Sequence, residues 1–187
     1  LAEAAEDPAV EAEPPYPGTP RVCPDPQATV RLHLYRGGCW RNEPHPHEGQ
    51  SFVWQRSGHL TVSPMLPANA PILKALSLPV SLGITRAWES GVEPAIRKFR
   101  LAVARGLRLV QVRENNLDAT ARRSFATRIV RELRDVGGLA MINGDVELAS
   151  SLGAGLHLPS RELMTASSRP DVEWCSASCH DVAELEK

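Results

Sequence analysis

The chain has 187 residues, enough for one to two domains with a real core, and a composition of 42% hydrophobic and 23% charged residues that is globular. Lys and Arg number 21 against 22 Asp and Glu, a formal net charge of -1, so whole-chain charge gives no argument for a nucleic-acid polymer or an anionic membrane as partner. No apolar run approaches the roughly 18 residues needed to span a bilayer.

Residues 1–27 open the chain with a composition that resists packing: Glu3, Glu6, Asp7, Glu11, Glu13 and Asp25 stand against Arg21 alone, among many prolines. This stretch is expected to be disordered or loosely held. The first residue is Leu1 rather than Met, and "DVAELEK" at the end reads like the opening of a helix, so the expectation is a fragment. Cys23, Cys39, Cys175 and Cys179 without a secretory leader point to free thiols in a reducing, cytoplasmic compartment. Cys175, Cys179 and His180 also read as metal ligands, but no second pair stands at zinc-finger spacing.

"ATVRLHLY" alternates Val30, Leu32 and Leu34 with Arg31, His33 and Tyr35, the period of a strand with one buried face. "SFVWQ" is a second strand candidate able to pair with it across the connection from Gly37 to Gln50. Asn69 is placed to cap a short helix, with Pro71 tolerated in its first turn and Ile72, Leu73 and Leu76 facing inward.

From residue 80 short apolar runs alternate with helical phrases. "VSLGIT" precedes a helix near 90–105 with Ile96, Phe99 and Val103 on one face, and "LRLVQVR" precedes a helix near 118–136 with Phe125, Ile129 and Leu133 at four-residue spacing and Gly137 as its stop. "LAMIN", a helix from Val146, "GLHL", a brief helix near 160–166 and "VEWCSAS" follow. Arginines crowd positions 97–134, at spacings that suit the solvated sides of two helices or, in the alternative, an anion-binding patch.

Five strand-helix units of about 22 residues argue for parallel βα repeats, either an open doubly wound sheet or a (β/α)8 barrel. No G-x-G-x-x-G loop follows the first strand, which favours the barrel, here cut short with its last strand as an unpaired edge. The predicted fold class is α/β: a truncated (β/α)8 TIM barrel of about five units over 79–187, preceded by a partial α+β domain over 28–78. In such folds ligands sit beyond the carboxyl ends of the strands. The polar groups there are Thr85, Gln111 with Arg113, Asn143, His157, and Ser178 with His180.

These residues carry a resemblance. "LGIT", Gln111-Val112-Arg113-Glu114, Ile142-Asn143, Glu147-Leu148-Ala149, Gly155-Leu156-His157-Leu158 and Ser178-Cys179-His180 occur in the order found in the thiamine-phosphate-synthase/TenI family of barrels. The resemblance implies binding of a phosphorylated thiazole-type small molecule and, in true synthases, its joining to an activated pyrimidine diphosphate with Mg2+. This chain has Asn115 where the synthase pattern has Lys, Gly144 where it has Asp, and Glu162 where it has a second metal-binding Asp. Synthase chemistry should suffer by several kcal/mol. "ING" and "HLP" look more like the TenI branch, whose members tautomerise a thiazole carboxylate phosphate or serve without a proven reaction. For that proton transfer His180 is the candidate base, or else a polar cap before the next helix. His157 reads as a ligand contact or a satisfied structural histidine, and Gln111 and Arg113 as a ligand grip or as internal hydrogen bonds filling the barrel mouth.

Residues 22–76 carry a second resemblance. Trp40-Arg41-Asn42-Glu43-Pro44, Glu48-Gly49-Gln50 and Leu66-Pro67-Ala68-Asn69-Ala70-Pro71-Ile72 are similar, in order, to the C-terminal half of MutT-type Nudix hydrolases, which remove pyrophosphate from oxidised deoxyguanosine triphosphate. The likeness implies Glu48 as an outlying carboxylate of a Mg2+ site and Asn69 as an amide reading a purine edge; without it, Glu48 is a surface acid and Asn69 a helix cap. Cys23 and Pro26 replace an aromatic and a basic residue of the pattern, and nothing in residues 1–27 matches the glutamate-rich Nudix signature.

The expected whole is therefore part of a Nudix–TenI fusion. Its leading activity would be 8-oxo-dGTP diphosphatase chemistry on nucleoside triphosphates with Mg2+ in the intact parent. Thiamine biosynthesis by the barrel (synthase or thiazole tautomerase) and a non-catalytic phosphate-ligand module are the alternatives. One glutamate cannot assemble a multi-carboxylate metal site, so the chain itself is expected to release no pyrophosphate from 8-oxo-dGTP with Mg2+; turnover by purified chain would refute this.

Overall fold

The computed structural model describes the backbone of six short strands before residue 42, then residues 53–56, 59–65 and 69–187. It divides into two compact units, Leu1–Ser77 and Leu78–Lys187.

In the first unit the strands are β1 (Glu11–Ala12), β2 (Tyr16–Pro17), β3 (Arg21–Pro24), β4 (Thr29–Leu32), β5 (Tyr35–Arg36) and β6 (Trp40–Arg41). They form three antiparallel pairs, β1 with β6, β2 with β5 and β3 with β4. The strand read in "ATVRLHLY" is present as β4, but its partner is β3, with Arg21 opposite Leu32 and Pro24 opposite Thr29. Strand structure thus reaches into the proline-rich opening, and Pro24 stands at the terminus of its strand, where the missing N–H is tolerated. "SFVWQ" does not supply the partner: Val53 and Trp54 are exposed and lie in no strand. Gln55 instead closes a local turn, accepting from the Thr61 main-chain N–H at 2.6 Å and donating to the Thr61 hydroxyl at 3.0 Å. Helix α1 (Ala70–Leu76) begins at Asn69 as expected, yet the Asn69 side chain makes no capping hydrogen bond. Leu76 is 46% exposed rather than inward; helical period marks a face without saying that anything covers it.

The second unit follows the predicted alternation: β7 (Leu82–Ile84), α2 (Ala87–Ser90), α3 (Val92–Ala104), β8 (Leu109–Val112), α4 (Ala119–Arg134), β9 (Leu139–Asn143), α5 (Val146–Leu152), β10 (Gly155–Leu158), α6 (Ser160–Thr165), β11 (Cys175–Ala177) and α7 (Val182–Glu186). The five strands form one sheet in the order β11-β10-β9-β8-β7, every pair parallel. A doubly wound sheet would reverse direction at a switch point. Here each strand lies beside its predecessor, so right-handed crossovers carry all the helices to one face, as in the wall of a barrel. Among the described residues no helix is long and apolar enough to cross a membrane.

The core lies between that face and the helices. Val110, Val112, Ala140, Ile142, Leu156 and Leu158 from the strands pack with Ile96, Phe99, Phe125, Ile129, Leu133, Leu148 and Ala149 from the helices. Helix α4 starts where Asp118 accepts hydrogen bonds from the Thr120 and Ala121 N–H groups, both at 2.9 Å. Arg100 takes a solvated position, as its spacing suggested, and pairs with Glu132 at 2.6 Å; Arg128 and Arg122 are half-buried instead and pair with Glu93 at 2.7 Å and Asp145 at 2.8 Å.

One buried acidic side chain ties the start of the sheet together. Glu114, 1% exposed, follows β8 and accepts from the main-chain N–H groups of Ala87 at 2.8 Å and Trp88 at 3.3 Å, so it caps α2 across the sheet. Glu114→Ala would leave the buried Ala87 N–H without an acceptor. The expected loss is about 1–3 kcal/mol in urea unfolding, with a smaller loss for Glu114→Gln, which keeps one carbonyl oxygen. An unchanged midpoint in the alanine variant would show that the cap contributes nothing.

Candidate functional site

Successive side chains of a strand point to opposite faces. With Val110, Ala140, Ile142, Leu156 and Leu158 turned to the helices, the other face carries Leu109 and Gln111 from β8, Leu139, Met141 and Asn143 from β9, Gly155 and His157 from β10, and Ser176 from β11. Register sets His157 opposite both Asn143 and Ser176. Lower on the same face Met141 lies opposite Gly155, where a Cβ would collide with the Met141 sulfur unless the thioether moved; the bare backbone lets the sulfur sit this close.

The polar groups gather at the carboxyl ends. Gln111, 4% exposed, donates from Nε2 to Asn143 Oδ1 at 3.0 Å. His157 is held at both ring nitrogens, Nδ1 with Ser176 Oγ and Nε2 with Ser178 Oγ, each at 2.9 Å. The loops beyond the strands are fastened to their neighbours: Thr85 N–H donates to the Gln111 carbonyl at 3.0 Å, Gly144 N–H to that of His157 at 2.9 Å, and Ser178 N–H to that of Leu158 at 3.0 Å. Thr85 Oγ1 accepts the Arg113 N–H at 3.1 Å. The structure therefore brings together Thr85, Gln111, Asn143, His157 and Ser178, on a frame of main-chain hydrogen bonds.

Charge is sparse on this rim. Arg113 is exposed, and among the described residues its guanidinium has no recorded hydrogen bond or ion pair. Burial pushes the His157 imidazole below its ordinary value of 6.5, and the positive charge of Arg113 pushes it further the same way. Its ring is therefore neutral at neutral pH. Gly144 has φ +65°, and a Cβ there would stand 3.0 Å from a Glu162 carboxylate oxygen. Glu162 thus covers the turn after β9.

His180 is placed differently. Its side chain is 73% exposed and its hydrogen bonds run to Glu184, from the main-chain N–H at 2.7 Å and at Nδ1 at 3.0 Å. It shares no hydrogen bond with the Gln111–Ser178 group. Glu48 lies outside the described residues, and Asn69 belongs to the other unit. Two participants escaped the sequence reading although the signal was there: Ser176 stands two residues before Ser178, the strand period, and Glu184 stands three residues after the capping Asp181.

Comparison with known proteins agrees with the second unit. Residues 82–187 match the family model described as thiamine monophosphate synthase. A thiamine-phosphate synthase from Halorhodospira halophila is 33% identical over 93 residues, 47% of this chain and 44% of that protein. One from Chromobacterium violaceum is 36% identical over 110 residues, 55% of this chain and 53% of that protein. The chain thus spans about half the length of the curated relatives it matches. The matched region lies wholly downstream of the Nudix-like stretch and lends that resemblance no support. Through residues 82–187, more than half its length, the chain belongs to the thiamine monophosphate synthase (TMP-TENI) family.

Proposed function

We propose that the second unit works in thiamine biosynthesis by binding a phosphorylated thiazole-type small molecule over the carboxyl ends of β8–β11. The observation that carries this reading is the joined polar row, Gln111 with Asn143 and Ser176–His157–Ser178, set where parallel α/β sheets take their ligands. In this reading the amides of Gln111 and Asn143 and the hydroxyl of Ser178 orient the heterocycle, and neutral His157 holds the Ser178 hydroxyl in place. The unpaired guanidinium of Arg113 meets an anionic group of the ligand. His180, an imidazole able to accept and return a proton, exchanges the proton in a tautomerisation of the thiazole. This displaces nucleoside triphosphate cleavage as the leading reading, since the family match supports the thiamine alternative.

Joining the thiazole to a pyrimidine diphosphate is the less favoured reaction. A diphosphate-bound Mg2+ wants hard oxygen ligands and a cationic neighbour. Among the described residues no three His, Cys, Asp or Glu side chains gather to hold a metal, and the turn after β9 offers Glu162 packed over Gly144. The donors present among the described residues do not fit that ion.

The test is a calorimetric titration of the whole chain with thiazole phosphate, with inorganic phosphate as control. Saturable binding is expected, weakened about ten- to hundredfold by Arg113→Ala, the usual cost of removing a charged hydrogen-bond donor. No heat at millimolar ligand, or binding indifferent to both Arg113→Ala and Gln111→Ala, would overturn the proposal.

The neutral state of His157 also sets a pH dependence. Its folded value lies below that of the unfolded chain, so as pH falls through about 6.5 the unfolded state takes up the proton first and stability declines until the folded value is passed. Replacing His157 by Gln is expected to flatten this acid-side decline in thermal melts between pH 8 and pH 5; an unaltered slope would contradict it.

A further inference from the structure

We propose that Glu184, gripped by Ser160, is a positioning residue that fixes the tautomer of His180 and leaves Nε2 as its bare, proton-accepting nitrogen. The inference deepens the proton-transfer reading of His180 and rests on it for its functional meaning. Its structural content stands on four hydrogen bonds.

The Ser160 hydroxyl, in the first turn of α6, donates to Glu184 Oε1. The His180 main-chain N–H donates to Oε2 at 2.7 Å, and His180 Nδ1 lies 3.0 Å from the same oxygen. The Glu184 N–H donates in turn to Asp181 Oδ1 at 2.9 Å, which sets the glutamate in the first turn of α7. Hydrogen bonds from the Ser160 hydroxyl and the His180 N–H hold the Glu184 carboxyl below its ordinary range. It is ionised at neutral pH, and an ionised carboxylate only accepts. The ring nitrogen that faces it must therefore be the donor. In the neutral ring Nδ1 then carries the hydrogen and Nε2 carries the lone pair.

Exposure fits the division of labour. The Glu184 side chain is 15% exposed and shielded, whereas that of His180 is 73% exposed, so the orienting group is sequestered and the reactive ring is open. His157 offers the contrast. Both of its partners are serine hydroxyls, which can donate or accept, so nothing in its surroundings selects one tautomer. Of the two rim histidines, only His180 faces an acceptor-only partner.

The tautomer can be read without any ligand, by nitrogen NMR of the whole chain labelled in histidine, at pH 8. In the wild type the His180 Nδ1–H form is expected to be the majority, opposite to the Nε2–H preference of a free imidazole side chain. Glu184→Gln, which can offer Nδ1 an amide N–H instead of a carboxylate, is expected to lose that majority. Ser160→Ala, which keeps the charge and frees the carboxylate to turn, is expected to fall between the two. Unchanged His157 signals in the same spectra certify that each variant is folded. An Nε2–H majority in the wild type, or an Nδ1–H majority that survives Glu184→Gln, overturns the proposal; wild-type populations in Ser160→Ala remove Ser160 from it. Failure of thiazole phosphate to bind would leave this spectrum as predicted and sink only the ligand assignment.

Discussion

The two-residue alternation of β8, β9 and β10 governs the second unit. One parity, Val110, Val112, Ala140, Ile142, Leu156 and Leu158, is committed to the helices, and burying it drives the sheet and helices together. The other parity is thereby forced onto the opposite face, where it gathers Gln111, Asn143, His157 and Ser176. A slip of one residue in any ladder would exchange the two sets. Stability and the candidate site are consequently the same decision taken at alternate positions, and the site inherits the rigidity of the core without contributing apolar area to it.

Short main-chain hydrogen bonds extend this order past the strands. Thr85, Gly144 and Ser178 each borrow a carbonyl of the neighbouring strand, so the loops that carry polar groups are continuations of the ladder rather than free segments. Glu114 does the same for α2 with a buried side chain. A rim built this way holds its polar groups in fixed positions, the kind of preorganisation that lowers the ordering cost of binding in general.

What the sequence disclosed depended on the range of the forces involved. The Phe125, Ile129 and Leu133 spacing, the LAMIN and GLHL runs and the helix opening in DVAELEK are local patterns, and all became elements within a residue or two. Parallel neighbours in chain order followed from five repeated units, because the crossover rule leaves few alternatives. The first unit was less legible. The strand at Thr29–Leu32 was visible, but its partner is chosen by tertiary fit, and Arg21–Pro24 has a composition that argues against pairing. Leu76 shows the same limit, since a period does not name what lies opposite. At the site, Gln111, Asn143, His157 and Ser178 were found by their place at strand ends. The orientation of His180 toward Glu184 depends on a rotamer and on a helix cap, and residue order leaves both open.

Met141 seated over Gly155 has a further consequence for the packing beneath the rim. The thioether forms a floor one strand repeat below Asn143 and His157, soft and polarizable where the walls are polar and fixed. The position of that sulfur depends on a neighbouring backbone position that lacks a side chain. The seating of a side chain on one strand is thus decided by the absence of one on the next.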